Sequence, residues 1–195
     1  MSTQTTRQQI LHAAFALIRR EGVARLTIEA VAQEAGLSKG GVLYHFRSKE
    51  SLIEAMVASL VERFDSDIET ARREESEGER SASGSWLRAY IRASAGPAED
   101  DEDTVALLAA VATDPRLLAP LQAQYARWQA LAETDGVDPA LATVIRLALD
   151  GLWMADLFGL APPQGALREQ IFVALGRMTE EGRAGRPTGE TKQDM

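Results

Sequence analysis

Apolar residues recur at three- and four-residue spacing along most of this chain, and nowhere do they alternate for long enough to suggest a strand. The first such stretch covers 6–21, with Ile10, Ala13, Ala14, Leu17 and Ile18 on one face and Gly22 after its end. Thr27 can cap a second helix over 28–34, where Ile28, Val31 and Ala32 share a face, and Gly36 suits a left-handed residue beyond it. Ser38 caps a third helix, on which Val42, Leu43 and Phe46 can be buried while Lys39, Gly41, Tyr44 and His45 face largely outward. Ser48 opens a long amphipathic fourth over 49–73, using Leu52, Met56, Leu60, Phe64, Ile68 and Ala71.

Residues 74–84 are polar and interrupted by glycine, which reads as a fraying helix end and a loop. A fifth helix is expected over 85–95, and a sixth over 104–113 behind the acidic run 99–103. That run lacks the spaced ligands and turning glycine of a calcium loop and reads as a solvated loop. Pro115 suits the first turn of a seventh helix reaching about residue 132. Asp138 and Pro139 open an eighth that ends near Gly159, and after Pro162 and Pro163 a ninth covers about 164–181. The pattern predicts an all-α protein of about nine helices. A three-helix head over 1–50 precedes a helical body over 51–181, and 182–195 reads as a disordered tail.

Most of the chemistry sits in 23–53. A short helix, a tight turn and a second short helix make a helix-turn-helix, the arrangement that places a recognition helix in the DNA major groove. Lys39 and Lys49, two of the three lysines, bracket that second helix. Gly40 and Gly41 cost about 1 kcal/mol each relative to alanine inside a helix, a cost that close approach to a partner would justify. Lys49 stands at a helix N-terminus, where the dipole disfavours a cation, and a nearby phosphate would reverse that sign.

The segment resembles the DNA-binding domain of the TetR (tetracycline-repressor-like) family of transcriptional regulators. The resemblance rests on the helix over 6–21, on T-I-E-A-V-A-Q-E-A-G-L-S-K-G-G-V-L-Y-H-F, and on R-S-K-E-S-L at 47–52. It implies groove-facing positions at Lys39, Gly40 and Gly41, and DNA-backbone contacts at Thr27, Ser38, Tyr44, His45 and Lys49. Leu43 stands where some members carry a second aromatic residue. The resemblance further implies nine helices, repression rather than activation, and a homodimer whose last two helices pair as a four-helix bundle on a pseudo-palindromic double-stranded operator. Leu141, Ile145, Leu149, Leu152 and Met154 on the eighth helix, with Leu167, Ile171, Val173, Leu175 and Met178 on the ninth, fit that pairing or close the protomer's own core.

Charge sharpens the picture. The chain carries 21 Lys/Arg against 29 Asp/Glu, a net of −8, which by itself speaks against nucleic acid. Residues 1–50, however, hold seven basic and four acidic residues, a net of +3, and the remainder is −11. A basic head on an acidic body suits a regulator whose head alone touches DNA. With no cysteine and two histidines, thiol chemistry and cysteine-ligated metal are excluded, and no metal or cofactor is expected. No secretion signal or membrane-length apolar run is present, so a cytoplasmic protein is expected.

The body offers a candidate ligand site. Trp86, Tyr90, Tyr125, Trp128 and Trp153 gather on the fifth to eighth helices and include every tryptophan, which fits either a packed core or a cavity. Asp150 has Arg146 one turn away, whereas Asp156 has no basic residue within a turn. If Asp156 lines a cavity with those rings, a small, largely apolar and cationic molecule would suit it. Two other classes stay open: a DNA-binding architectural protein without an inducer, and an enzyme, for which no catalytic or phosphate-binding motif is found.

Overall fold

A computed structural model of the protein describes residues 3–76, 83–96, 104, 107 and 114–182. Among these residues there is no strand, and the α-helices are α1 (Thr3–Glu21), α2 (Ile28–Glu34), α3 (Lys39–His45), α4 (Lys49–Ser76), α5 (Ser85–Ala95), α6 (Ala119–Thr134), α7 (Pro139–Phe158) and α8 (Gly165–Glu181). The expected eighth and ninth helices are thus α7 and α8. The acidic run, the expected sixth helix and the expected tail lie outside the described residues, apart from Thr104, Leu107 and Gly182. Two short 3-10 turns, Val23–Arg25 and Pro115–Leu118, were not expected. Pro115 opens the second of these, and the α-helix behind it starts four residues later with Pro120 in its first turn, where a missing N–H costs nothing.

The chain divides into two compact units, Met1–Phe64 with Ala98–Tyr125, and Asp65–Pro97 with Ala126–Met195. They part inside α4. In the first, α1 packs on α2 and α2 on α3. Ile10, Ala14, Leu17 and Ile18 form its floor with Leu26, Val31, Val42, Phe46, Leu52 and Met56, all buried. Each buried leucine or isoleucine contributes about 1.5–3 kcal/mol. Polar ties fix the helix angles. Gln9 donates to the carbonyl of Ala35 at 2.8 Å, and Arg20 reaches Glu34 at 2.7 Å.

In the second unit α5 packs against both α7 and α8. Trp86, Leu87, Arg88, Ala89, Tyr90 and Ile91 are buried in succession, so this part of the helix is enclosed all round. Its N-terminus is capped from a distance. Gly84 supplies no side chain, and the Asp135 carboxylate accepts from the amides of Trp86 at 3.1 Å and Leu87 at 2.9 Å. Asp135→Ala leaves both amides unpaired and is expected to cost about 1–2 kcal/mol, measured by urea unfolding.

Burial pushes the Asp135 carboxyl above its ordinary range, against the opposing pull of the Leu87 and Trp86 amides. The folded protein therefore holds that proton more tightly than the unfolded chain. This group's contribution is greatest below the unfolded carboxyl pKa and is lost as pH rises through the folded one. The parent should accordingly gain stability relative to Asp135→Asn as the pH is lowered from neutral towards that range, as urea unfolding at several pH values measures.

Candidate nucleic-acid interface

The two short helices of the first unit are set by their caps. The Thr27 hydroxyl accepts from the amide of Ala30 at 3.1 Å, and the Ser38 hydroxyl from that of Gly41 at 3.0 Å. Each cap stabilises its helix by about 1 kcal/mol. A hydroxyl that accepts in this way keeps its own proton to donate, so both exposed caps can still give a hydrogen bond to a phosphate oxygen. Gly36 is left-handed at φ 65°, and the amide of Leu37 returns to the carbonyl of Ala32 at 2.8 Å, which closes α2 and aims α3.

The glycines of α3 differ. A Cβ on Gly41 would stand 3.3 Å from the Ser38 hydroxyl, so a glycine there preserves the cap. A Cβ on Gly40 would meet only that oxygen, at 3.9 Å, and leaves the surface open for close approach. Tyr44 is 81% exposed, an uncommon position for a large ring, and stands edge-on to the half-buried His45 at 5.2 Å between centroids. Ser48 and Ser51 cap α4 reciprocally: the amide of Ser51 donates to the Ser48 hydroxyl at 3.2 Å and the amide of Ser48 to the Ser51 hydroxyl at 3.1 Å. Lys49 is half-buried and its ammonium lies 3.5 Å from the carbonyl of Val23 in the first 3-10 turn. Lys39 is exposed and pairs with Glu29 at 2.5 Å. Sequence reasoning passed over Glu29. Its place beside Lys39 depends on the angle between α2 and α3, which spacing within either helix does not give.

The candidate ligand residues of the body are only partly gathered. Trp86, Tyr90 and Trp128 pack as one cluster, with centroids 5.1 Å and 5.8 Å apart, and all three are buried. The polar ends of Trp128 and Tyr90 are satisfied. The Trp128 indole donates to Asp65 at 3.0 Å, and the Tyr90 hydroxyl to Asp150 at 2.8 Å. Asp150 pairs with Arg146 at 2.6 Å, as the one-turn spacing led us to expect. Asp156 differs from expectation, because Arg168 of α8 reaches it at 2.9 Å from beyond the Pro162-Pro163 break. A search within one turn cannot find a partner twelve residues away. Trp153 is half-buried on α7, and Tyr125 belongs to the first unit. A groove of about 440 Å³ between α5 and α8 includes none of the six, and is lined by Arg88, Arg92, Phe172, Arg177 and Glu180, among others.

The described residues hold no cluster of side chains able to bind a metal ion, and none of their helices is long and apolar enough to cross a membrane.

Residues 10–56 match the family model for bacterial regulatory proteins of the tetR family, and 84–180 match the tetracyclin repressor-like C-terminal domain. The chain belongs to the TetR family. Its helix-turn-helix and its body are therefore both accounted for by TetR-family models, and the family is one of transcriptional regulators rather than enzymes. The chain is 41% identical over 76 residues to the HTH-type transcriptional regulator TtgR of Pseudomonas putida, covering 39% of this chain and 35% of that one. The matched segment thus spans about a third of that relative's length. Among solved structures, a TetR-family member from Streptomyces coelicolor A3 is 28% identical with a TM-score of 0.67, covering 89% of this chain and 97% of the other. The multidrug binding protein EbrR, complexed with malachite green, is 26% identical with a TM-score of 0.66 over 88% of this chain and 96% of its own.

Proposed function

We propose that this protein is a homodimeric transcriptional repressor that binds a pseudo-palindromic DNA operator through its first unit. A small, largely apolar molecule held in its body would release it. The observation that carries the reading is the capped helix-turn-helix with Tyr44, Lys39 and Gly40 exposed on one short helix. In this reading Lys39, Gly40 and Gly41 face base edges, while Thr27, Ser38, Tyr44, His45 and Lys49 meet phosphates. Tyr44→Phe and Lys49→Ala should weaken binding to every duplex alike, and Lys49→Ala should flatten the salt dependence by about one counterion per subunit. Titration of a selected operator over a range of salt concentrations checks this. Variants that bind as the parent does would remove the assignment.

An exposed apolar stripe on α7 supports dimerisation with a second copy. Val144, Leu147, Met154 and Phe158 are each about half exposed, and with the open Gly151 they repeat at spacings of three and four. That is the spacing of a helix-pairing seam. Leu167 and Val173 on α8 are exposed as well. Ile145, Leu149 and Leu175 are buried within the protomer and serve its core instead.

For the ligand, the solved relative named for multidrug binding supports a small, largely apolar molecule, with Trp153 on α7 as a half-buried candidate contact. Asp156 would serve a cation only by giving up Arg168, so a preference for cations has little support. Neutral lipophiles that quench tryptophan fluorescence should also lower operator affinity, and by linkage the operator should weaken them by the same factor. Quenching without release of DNA would reject the regulatory part. The α4 helix, which has residues in both units, is the element whose movement would carry the coupling.

A further inference from the structure

We infer that Glu29 is a specificity residue of the DNA surface, and that it acts with Lys39 as a single reader of one G·C base pair. The inference rests on the DNA-binding reading above.

The other close acidic contacts of the head are structural. Arg20 takes Glu34 at 2.7 Å, which ties α1 to α2, and its neighbour Glu21 at 3.0 Å within α1. Glu29 instead meets the cation that begins α3. Lys39 and Glu29 come from different helices, their charged groups are 2.5 Å apart, and their side chains are 59% and 61% exposed. The Lys39 hydrogen bond holds the Glu29 carboxyl below its usual range, so it is ionised and acts only as an acceptor near neutral pH. A pair so exposed contributes little to stability, too little to be its main consequence.

Its consequence for DNA follows from the chemistry of the groove. A free lysine is a compact point charge that phosphate attracts whatever the sequence. Glu29 opposes that attraction, because a carboxylate and a phosphate repel each other, and it keeps the ammonium beside an acceptor on the base-facing side. The pair then offers donors and an acceptor side by side. The major-groove edge of G·C offers the complement: two adjacent acceptors, guanine O6 and N7, next to the N4 amino donor of cytosine. O6 and N4 are hydrogen-bonded to each other at about 2.9 Å, close to the spacing of the protein groups. The lysine's three donors can meet O6, N7 and Glu29, and the second carboxylate oxygen can accept from N4. An A·T pair interposes its amino donor between two single acceptors and adds the thymine methyl, so it cannot take the ammonium on two neighbouring acceptors.

The test uses the full chain on the duplex it selects from a randomised pool, and on every single-base-pair substitution of that duplex. Glu29→Gln, Lys39→Ala and the double variant are compared with the parent. Both single variants should lose discrimination, by about tenfold, at the same G·C position of each half-site. The double variant should lose no more than either. Glu29→Gln alone should bind unrelated duplexes more tightly, with a salt slope steeper by about 0.9 per subunit as Lys39 turns to phosphate. The inference is overturned if Glu29→Gln keeps the parent's base preferences, if its effect falls at a different position from that of Lys39→Ala, or if the shared position prefers A·T. DNA binding itself survives those three results. If the parent enriches no duplex, the DNA-binding reading fails and this inference fails with it.

Discussion

Replacing Arg88 with methionine is expected to destabilise the protein by about 3–5 kcal/mol, because it leaves the buried Glu75 carboxylate without its main partner. Arg88 and Glu75 form a hydrogen-bonded ion pair whose side chains are 7% and 5% exposed. Arg88 also donates to the carbonyl of Ser83 at 2.8 Å, holding the turn that enters α5. The second carboxylate oxygen of Glu75 is buried without a hydrogen bond among the described residues, and the guanidinium of Arg92 lies 3.5 Å from it. Removing Arg88 therefore strands a charge that Arg92 alone cannot satisfy. The double variant Arg88→Met with Glu75→Leu should recover much of the loss, since replacing both ions with apolar groups is often neutral or better. Urea unfolding of the single and the double variant against the parent measures this. A single variant as stable as the parent would show that the pair contributes little.

The second large effect is expected at Leu147. An aspartate there should separate the dimer without unfolding the protomer, because Leu147 is 54% exposed. A charge in an apolar interface has no partner and is costly to bury. Operator binding should then fall by about 10²–10⁴-fold, since each half-site would be held by one head without the gain from linkage. Leu175→Asp, in contrast, should unfold the body, because Leu175 is 6% exposed within its own protomer. Sedimentation and circular dichroism separate the two outcomes. A folded parent that is monomeric at micromolar concentration would contradict dimerisation.

The contrast between those two leucines shows where sequence was legible. Helix spacing gave α7 and α8 apolar residues that fit either pairing with a second copy or the protomer's own core, but it could not assign Ile145 and Leu175 to the core and Leu147 and Val173 to the surface. Which side of a helix faces its own chain depends on packing angles that only tertiary structure sets. Local chemistry was more readable. Thr27, Ser38 and Gly36 act where capping and left-handed geometry placed them, because those interactions reach no further than five residues. Long-range partners were invisible. Arg168 neutralises Asp156 across a proline break, Asp135 caps α5 from another helix end, and Glu29 meets Lys39 across the turn. The aromatic gathering on α5 and α6 was legible as a set, whereas the ring contacts and the bonded polar ends of Tyr90 and Trp128 that make it a core cluster were not.

The central claim is that the capped helix-turn-helix reads DNA. Incubating the full-length protein with a pool of randomised duplexes, then sequencing what it retains, tests that claim most directly. The account predicts enrichment of a pseudo-palindromic site, with half-sites set by a two-fold dimer and affinity that falls steeply as salt is raised. The combined variant Tyr44→Phe with Lys49→Ala should retain much less DNA from the same pool. A pool that emerges unchanged from the parent protein, at salt concentrations low enough to favour phosphate contacts, would contradict the account.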